Sequence, residues 1–350
     1  MAWTRGQNVY LIADSAVTKD APLASRRSHF GELHEDRPGR TVEESALKIF
    51  RQEQTAVGFA GDAGLALDIF KTYVTFFAKY DAKEAFERAW SSNTPFKDRV
   101  CCALLAFHDG TSPRLVQFSA DATIEPSDGC AVIGAVNDAE SSLVKKTLLT
   151  LPSEYDKPKE VLCLCIASLQ RFSIFDNFME RGIGGHYAGL SIGVGGLNWM
   201  PPAMHVIFDG SGLGTGEPEI PSVVIVFSSN DMVLVLNDLE VGWAVFLNSS
   251  GENSYLSPSE MRLKAETVAT QHPIGHLPYR HIAIYNAKTS IVTVLLVDGL
   301  VPSTDVHPRF VTINGKSIFA LDFSSDLLEV LGRDPQTGTI AVHDCRTELQ

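Results

Sequence analysis

The chain has 350 residues, 45% hydrophobic and 20% charged, which is enough to bury one to three cores and too apolar for a disordered polymer. A formal charge of -13 with no clustered Arg or Lys excludes the basic face that a nucleic-acid backbone or an anionic membrane requires, so neither is expected as a partner. The cysteines, two adjacent (Cys101, Cys102) and two in Cys-Leu-Cys (Cys163, Cys165), have neither the density of a disulfide scaffold nor the spacing of a zinc site, and read as buried thiols of a cytoplasmic protein.

The start shows no basic segment followed by an apolar core, so no secretory signal is expected. "NVYLIADSAVTKD" (residues 8–20) reads as the second strand of a hairpin, with Val9 to Ala13 buried and Asp14-Ser15 ending the run. Residues 19–44 carry Pro, Gly, His and mixed charge without apolar period, and predict a long exposed loop. "ALKIF" (46–50) and "TAVGFAG" (55–61) predict a strand pair. A lysine within the first of these must reach solvent or a carboxylate. From Ala63, the spacing of Ala66, Phe70, Tyr73, Val74 and Phe77 predicts a helix with one face on that sheet. A second helix fits 82–91, where Asp81 and Glu84 stand at capping-box spacing.

"RVCCALLAFHDG", "PRLVQFSA" and "GCAVIGA" predict three further strands. Asn137 with Glu140 opens a helix, and Asp156 with Pro158 opens another through "VLCLCIASLQRF". "GHYAGLSIGVGG" and "AMHVIFDG" then predict two strands. The order of strands, helices, strands, helices, strands suits helices outside two stacked antiparallel sheets. "DGSGLGTGEPEIP" (209–221) is the best boundary, giving a first domain over 1–212, a Gly/Pro linker over 213–221 and a β-rich domain of unknown role over 222–350. In the last, seven strand runs extend from "SVVIVFS" to "SIFALDF", interrupted by a helix capped at Ser257, Pro258 and Glu260. Asp231, Asp238 and Glu240 break the most apolar stretch and exclude a membrane span there.

Three stretches carry a family resemblance. "LIADSAVT" matches "aAADSRaT", "ALKIF" matches "adKIhrI", and "VGFAGDAGLAL" matches "xagAGxaAD" of proteasome β-subunits and their bacterial relatives; "DGCAVIGAVNDA" is similar to their "dgyaAIGSGspyA". Residues 8–212 thus resemble the N-terminal-nucleophile (Ntn) hydrolases. The resemblance implies an α+β fold, a four-layer αββα sandwich with the β-rich domain added to it. It implies amide-bond hydrolysis of a peptide or small amide by a threonine-type nucleophile whose own α-amine is the base, feasible because an unperturbed amine has a pKa near ~8. Carried over by position, Lys48 would tune the proton affinity around the hydroxyl, Asp14 would hold Lys48, and Gly61 would offer an oxyanion N–H. No cofactor or metal is implied, and the family implies a homo-oligomer.

Two positions depart from the family. Ala135 stands where a serine usually follows the glycine of "AIGSG", and Glu180-Arg-Gly-Ile183 replaces Asp-x-x-Ser ahead of Gly184, so Glu180 and Gly184 give weak support. Aligned on Asp14, the nucleophile belongs about three residues before Met1, and Thr4 cannot replace it without unpairing the hairpin. Two readings follow: a true start lying upstream with Thr, Ser or Cys, or a catalytically inactive subunit, a pseudoenzyme acting in assembly or as a scaffold.

Other motifs are weaker. Ser45-Ala-Leu-Lys48 matches an acyl-transferase S-x-x-K, which needs a helical turn where the sequence predicts strand. The glycine-rich runs lack the strand-to-helix setting of a nucleotide site. His272, His276 and His281 form the best metal-like cluster, but without carboxylates and with prolines between them they read as a loop.

Overall fold

Val9, Tyr10, Leu11 and Ile12 are all buried, so the strand they form is covered on both faces. That strand is the centre of the architecture. The computed structural model describes residues 1–19, 25–27, 33–35, 41–44, 47–93, 100–151, 155–176, 182–208, 222–229, 232–237, 242–247, 281–296, 306–313, 316–323, 325 and 340–344.

Strand β1 (Ala2–Arg5) turns at Gly6 into β2 (Asn8–Asp14), the hairpin that the sequence predicts. The chain continues as β3 (Ala16–Lys19), β4 (Ser25–Arg27), β5 (Leu33–Glu35) and β6 (Thr41–Glu44), with β3 paired to β6 and β4 to β5. These ladders replace part of the expected loop. Backbone pairing needs no apolar period, and Ala16 with Val42 supplies a small buried contact. Next come β7 (Ile49–Gln52), β8 (Thr55–Gly61), α1 (Ala63–Phe77) and α2 (Ala82–Asn93). Lys48 lies just before β7 rather than within it. Then follow β9 (Cys101–His108), β10 (Pro113–Phe118), β11 (Thr123–Ile124), β12 (Cys130–Ala131), α3 (Asp138–Thr150) and α4 (Pro158–Asp176).

Expected caps form: Glu84 N donates to Asp81 Oδ1 at 2.9 Å, and Asn137 with Glu140 closes a full capping box. Strands β13 (Tyr187–Gly193) and β14 (Gly196–Trp199) make a hairpin where the sequence predicts a single strand, because Gly196 adopts φ 100° and reverses the chain.

One five-stranded sheet runs β12-β1-β2-β13-β14 and a second runs β11-β10-β9-β8-β7. They face each other through Leu11, Ile49, Ala56, Leu104, Ala106 and Leu115. Gly58 lets the sheets approach, since a Cβ there would meet the Leu11 side chain at 3.0 Å. Helices α1 and α2 cover the far side of the second sheet through a cluster of aromatics including Phe70, Tyr73, Phe86 and Phe118. Helices α3 and α4 cover the far side of the first with Val144, Leu148, Leu162, Ile166 and Leu169. The fold is therefore mixed α+β.

The remaining strands are β15 (Ala203–Phe208), β16 (Ser222–Ser229), β17 (Met232–Asn237), β18 (Gly242–Leu247), β19 (His281–Asn286), β20 (Ile291–Leu296), β21 (Val306–Ile313), β22 (Lys316–Phe323) and β23 (Ile340–Asp344). A seven-stranded sheet has the order β18-β17-β16-β15-β19-β20-β23, so β15, from before residues 213–221, sits at its centre. Strands β21 and β22 pair separately. Ala283, Tyr285, Val292 and Val294 of this sheet pack on Leu164 and Ala167 of α4. Every residue of α4 from Val161 to Gln170 is buried, as a helix covered on two sides requires. The expected helix capped at Ser257, Pro258 and Glu260 and the glycine-rich run 209–221 lie outside the described residues.

A fragment spanning 222–350 lacks β15 between β16 and β19, and leaves the α4-facing side of the sheet uncovered. It is expected to show no cooperative urea transition by circular dichroism, whereas the full chain does.

Candidate functional site

Asp14 ends β2, and Lys48 leads into β7 with its carbonyl accepting from Phe59 N at 3.0 Å. Two sheets thereby present one residue each to a shared edge. Lys48 Nζ donates to Asp14 Oδ1 at 2.8 Å, with the two side chains 22% and 17% exposed. The lysine finds the carboxylate that its apolar neighbours demand. The second oxygen, Asp14 Oδ2, accepts from Gly184 N at 2.9 Å. One carboxylate thus joins an ammonium and a backbone amide, both charge-assisted contacts.

Gly61 ends β8 at φ 107°, where a Cβ would run into the Val100 carbonyl oxygen. Asp62 then caps α1 by accepting from Leu65 N at 2.7 Å. Asp14, Lys48 and Gly61 line a single cavity of about 400 Å³, together with Met1, Ala135 and Ile183. The methyl of Ala135 and the branched chain of Ile183 bring no hydroxyl to this wall. Glu180 lies outside the described residues. Gly184 enters the site through its backbone N–H.

Most of the remaining wall is apolar. Val17, Phe50, Phe59, Val144 and Phe172 contribute, and Phe50 meets Phe59 edge to face with centroids 5.4 Å apart. In the chain beginning at Met1, the α-amine donates to Ile12 O at 2.9 Å, and burial lowers its pKa to about 6 against the opposing pull of Asp14. Such an amine is neutral at pH 7 and able to accept a proton.

The loop after α4 is held amide by amide. Gly184 N donates to Asp14 (2.9 Å), Gly185 N to Ser173 Oγ (3.1 Å), His186 N to Ser15 Oγ (3.0 Å) and Tyr187 N to Gln170 Oε1 (3.3 Å). Gln170 Nε2 also donates to Gly185 O at 2.7 Å. Sequence reasoning missed Gln170 and Ser173. Their only signal is that they are polar residues, with Ser168 and Arg171, in the second half of a largely apolar helix, in "IASLQRFS".

Of the histidine trio, His272 and His276 lie outside the described residues. His281 is a buried strand residue of β19, with its ring 6.0 Å from that of His205, whose Nδ1 is 2.9 Å from Tyr285 Oη. Among the described residues, no group of three or more His, Cys, Asp or Glu is placed to hold a metal ion. No described helix is long and apolar enough to cross a membrane.

No protein-family profile matches the chain, and no curated protein matches it. Among solved structures it is similar to eukaryotic HslV from Trypanosoma brucei, at 13% identity and a TM-score of 0.35, over 55% of this chain and 97% of that one. A likeness of that degree settles neither activity nor assembly.

Two outcomes are expected from this geometry. Gly61→Ala introduces both a strained φ and a backbone clash, and should cost about 3 kcal/mol or more in urea denaturation. Burial lowers the His281 imidazole from 6.5 to about 3, so the native state binds fewer protons than the unfolded chain in that interval. The stability this residue contributes is complete above its unfolded value and is lost as pH falls toward the folded one. At about pH 4.5, His281→Leu should retain about 3 kcal/mol of the stability that the parent loses relative to pH 7, by urea titration at both pH values.

Proposed function

We propose that residues 1–212 form an Ntn-hydrolase domain of proteasome type, an αββα sandwich whose site cleaves the amide bond of a peptide or small amide. The observation that carries this reading is the Asp14–Lys48 ion pair beside Gly61 on the wall of a largely apolar cavity, at the end of the β1–β2 hairpin. Residues 222–350 form the β-rich addition, with β15 of the first segment at the centre of its seven-stranded sheet.

Strand geometry indicates where the nucleophile would stand. Continuing the register Ala2↔Leu11 puts the residue opposite Asp14 two positions upstream of Met1, roughly 7 Å along the strand at ~3.3 Å per residue. A Thr, Ser or Cys one position further out, with a free amine, would stand at the strand tip near the Lys48 ammonium. Lys48 would disfavour additional positive charge there and leave the amine neutral, so that it takes the hydroxyl or thiol proton as the nucleophile attacks. Gly61 N–H would face the developing oxyanion. The apolar wall around Phe50 and Phe59 would receive an apolar substituent of the substrate.

A second reading is favoured by Ala135 and Ile183, which supply no supporting hydroxyls: an inactive Ntn-fold subunit that serves assembly or binding. Both readings include a homo-oligomer in a reducing cytosol, and light scattering of a monodisperse 38.1 kDa species would oppose the oligomer.

The deciding experiment is mass-spectrometric sequencing of the amino terminus of the protein isolated from its native source, followed by turnover of fluorogenic peptide amides. The hydrolase reading expects Thr, Ser or Cys about three residues before Met1, and a loss of about 100-fold or more in turnover for Lys48→Ala with the fold intact. A native terminus at Met1 or Ala2 without turnover leaves the scaffold.

A further inference from the structure

The cavity and its ion pair belong to the site already described, but the device that holds Asp14 in place does not. Asp14 is fixed on one side by Lys48 and on the other by Gly184 N–H, and Gly184 and Gly185 both adopt left-handed backbone, φ 104° and 69°. Glycine takes such backbone without strain but has many other conformations open to it, so it holds this one only where its surroundings fix it. Those surroundings are two side chains on one turn of α4. Ser173 Oγ accepts from Gly185 N, while Gln170 brackets the same residue by donating to its carbonyl and accepting from Tyr187 N.

Gln170 and Ser173 are themselves 0% exposed. A buried carboxamide that satisfies both a donor and an acceptor has little freedom to move, since breaking either contact leaves an unpaired polar group in the core. The same turn is gripped from the opposite side. Arg171 Nε donates to Ser290 O in the β19–β20 turn at 2.8 Å, and Tyr285 Oη approaches Ala167 O at 3.5 Å. Leu164 and Ala167 pack against Ala283, Val292 and Val294.

We propose that Gln170 and Ser173 are positioning residues for the Asp14–Lys48 pair, acting through the backbone of Gly184 and Gly185, and that the β19–β20 hairpin braces the α4 turn that carries them. The seven-stranded sheet then acts on the site mechanically, as an outer support for α4. Among the described residues, none of its strands lines the cavity. This assignment concerns the ion pair and holds whether or not the chain hydrolyses amides.

The test reads the ion pair directly. Full-length protein is treated briefly with an amine-acylating reagent, and the labelling rate of Lys48 is measured by peptide mass spectrometry against that of an exposed lysine, Lys71. A lysine held by a carboxylate in a half-buried site reacts slowly. Gln170→Ala and the milder Ser173→Ala should each raise the Lys48 rate at least about fivefold while leaving Lys71 unchanged. Phe86→Leu, in the separate aromatic cluster beneath α1 and α2, is the control for lost stability alone and should leave Lys48 slow. If Gln170→Ala does not fold, Ser173→Ala decides. A Lys48 rate in the serine variant no higher than in Phe86→Leu overturns the assignment. Because no turnover is measured, an inactive protein leaves this result unaffected, and a protein that hydrolyses amides with an unchanged Lys48 rate refutes the positioning role alone.

Discussion

A helix that is apolar on every side has to be covered on every side, and α4 is such a helix. Val161 to Gln170 admit no solvent face, so the chain must supply a sheet on each side. Strands β2 and β13 provide one through Leu162, Ile166 and Leu169, and β19 and β20 provide the other across Leu164 and Ala167. The five-stranded sheets, the site at their edge and the outer seven-stranded sheet are all arranged about that requirement.

The covering also explains the polar residues that α4 carries. Gln170 and Ser173 would be a liability in such a place if they were unsatisfied, since each buried unpaired group costs about 1–3 kcal/mol. They are satisfied by the backbone of 185–187, which cannot pair within itself where it turns through two left-handed glycines. The need of the loop and the need of the helix are met by the same hydrogen bonds. The Asp14 carboxylate extends that network to Lys48 on the other sheet. A single connected set of contacts thus runs from the outer sheet through α4 to the cavity wall.

The cavity combines a few polar groups with a largely apolar lining. Asp14, Lys48 and the Gly61 backbone share its lining with Phe50, Phe59, Val144 and Phe172. Such a mixture suits a ligand with a polar group and an apolar appendage. Among the described residues, no cysteine lines this cavity. Burial raises the thiol pKa values of Cys130 to about 11 and of Cys101 to about 12, which leaves both as thiols at neutral pH.

Much of this was legible in the order of residues. Apolar runs located β2, β8, β9 and the strands from β16 to β22; helical spacing located α1; and the caps at Asp81, Asn137 and Pro158 fixed the starts of α2, α3 and α4, because these signals act between near neighbours in the chain. The motif context singled out Asp14, Lys48 and Gly61. Three things needed the tertiary structure. The β3–β6 ladder forms from backbone groups that leave no period in the sequence. Strand β15 joins a sheet whose other members all follow the glycine-rich stretch 209–221, so that stretch reads as a boundary although strands on both sides of it share one sheet. The roles of Gln170 and Ser173 depend on contacts with residues 12 to 17 positions away across a turn, and nothing in one helix records which backbone it will meet. Local chemistry fixed the elements and the candidate ionisable residues, whereas the requirement to cover α4 on both faces decided which of them would touch.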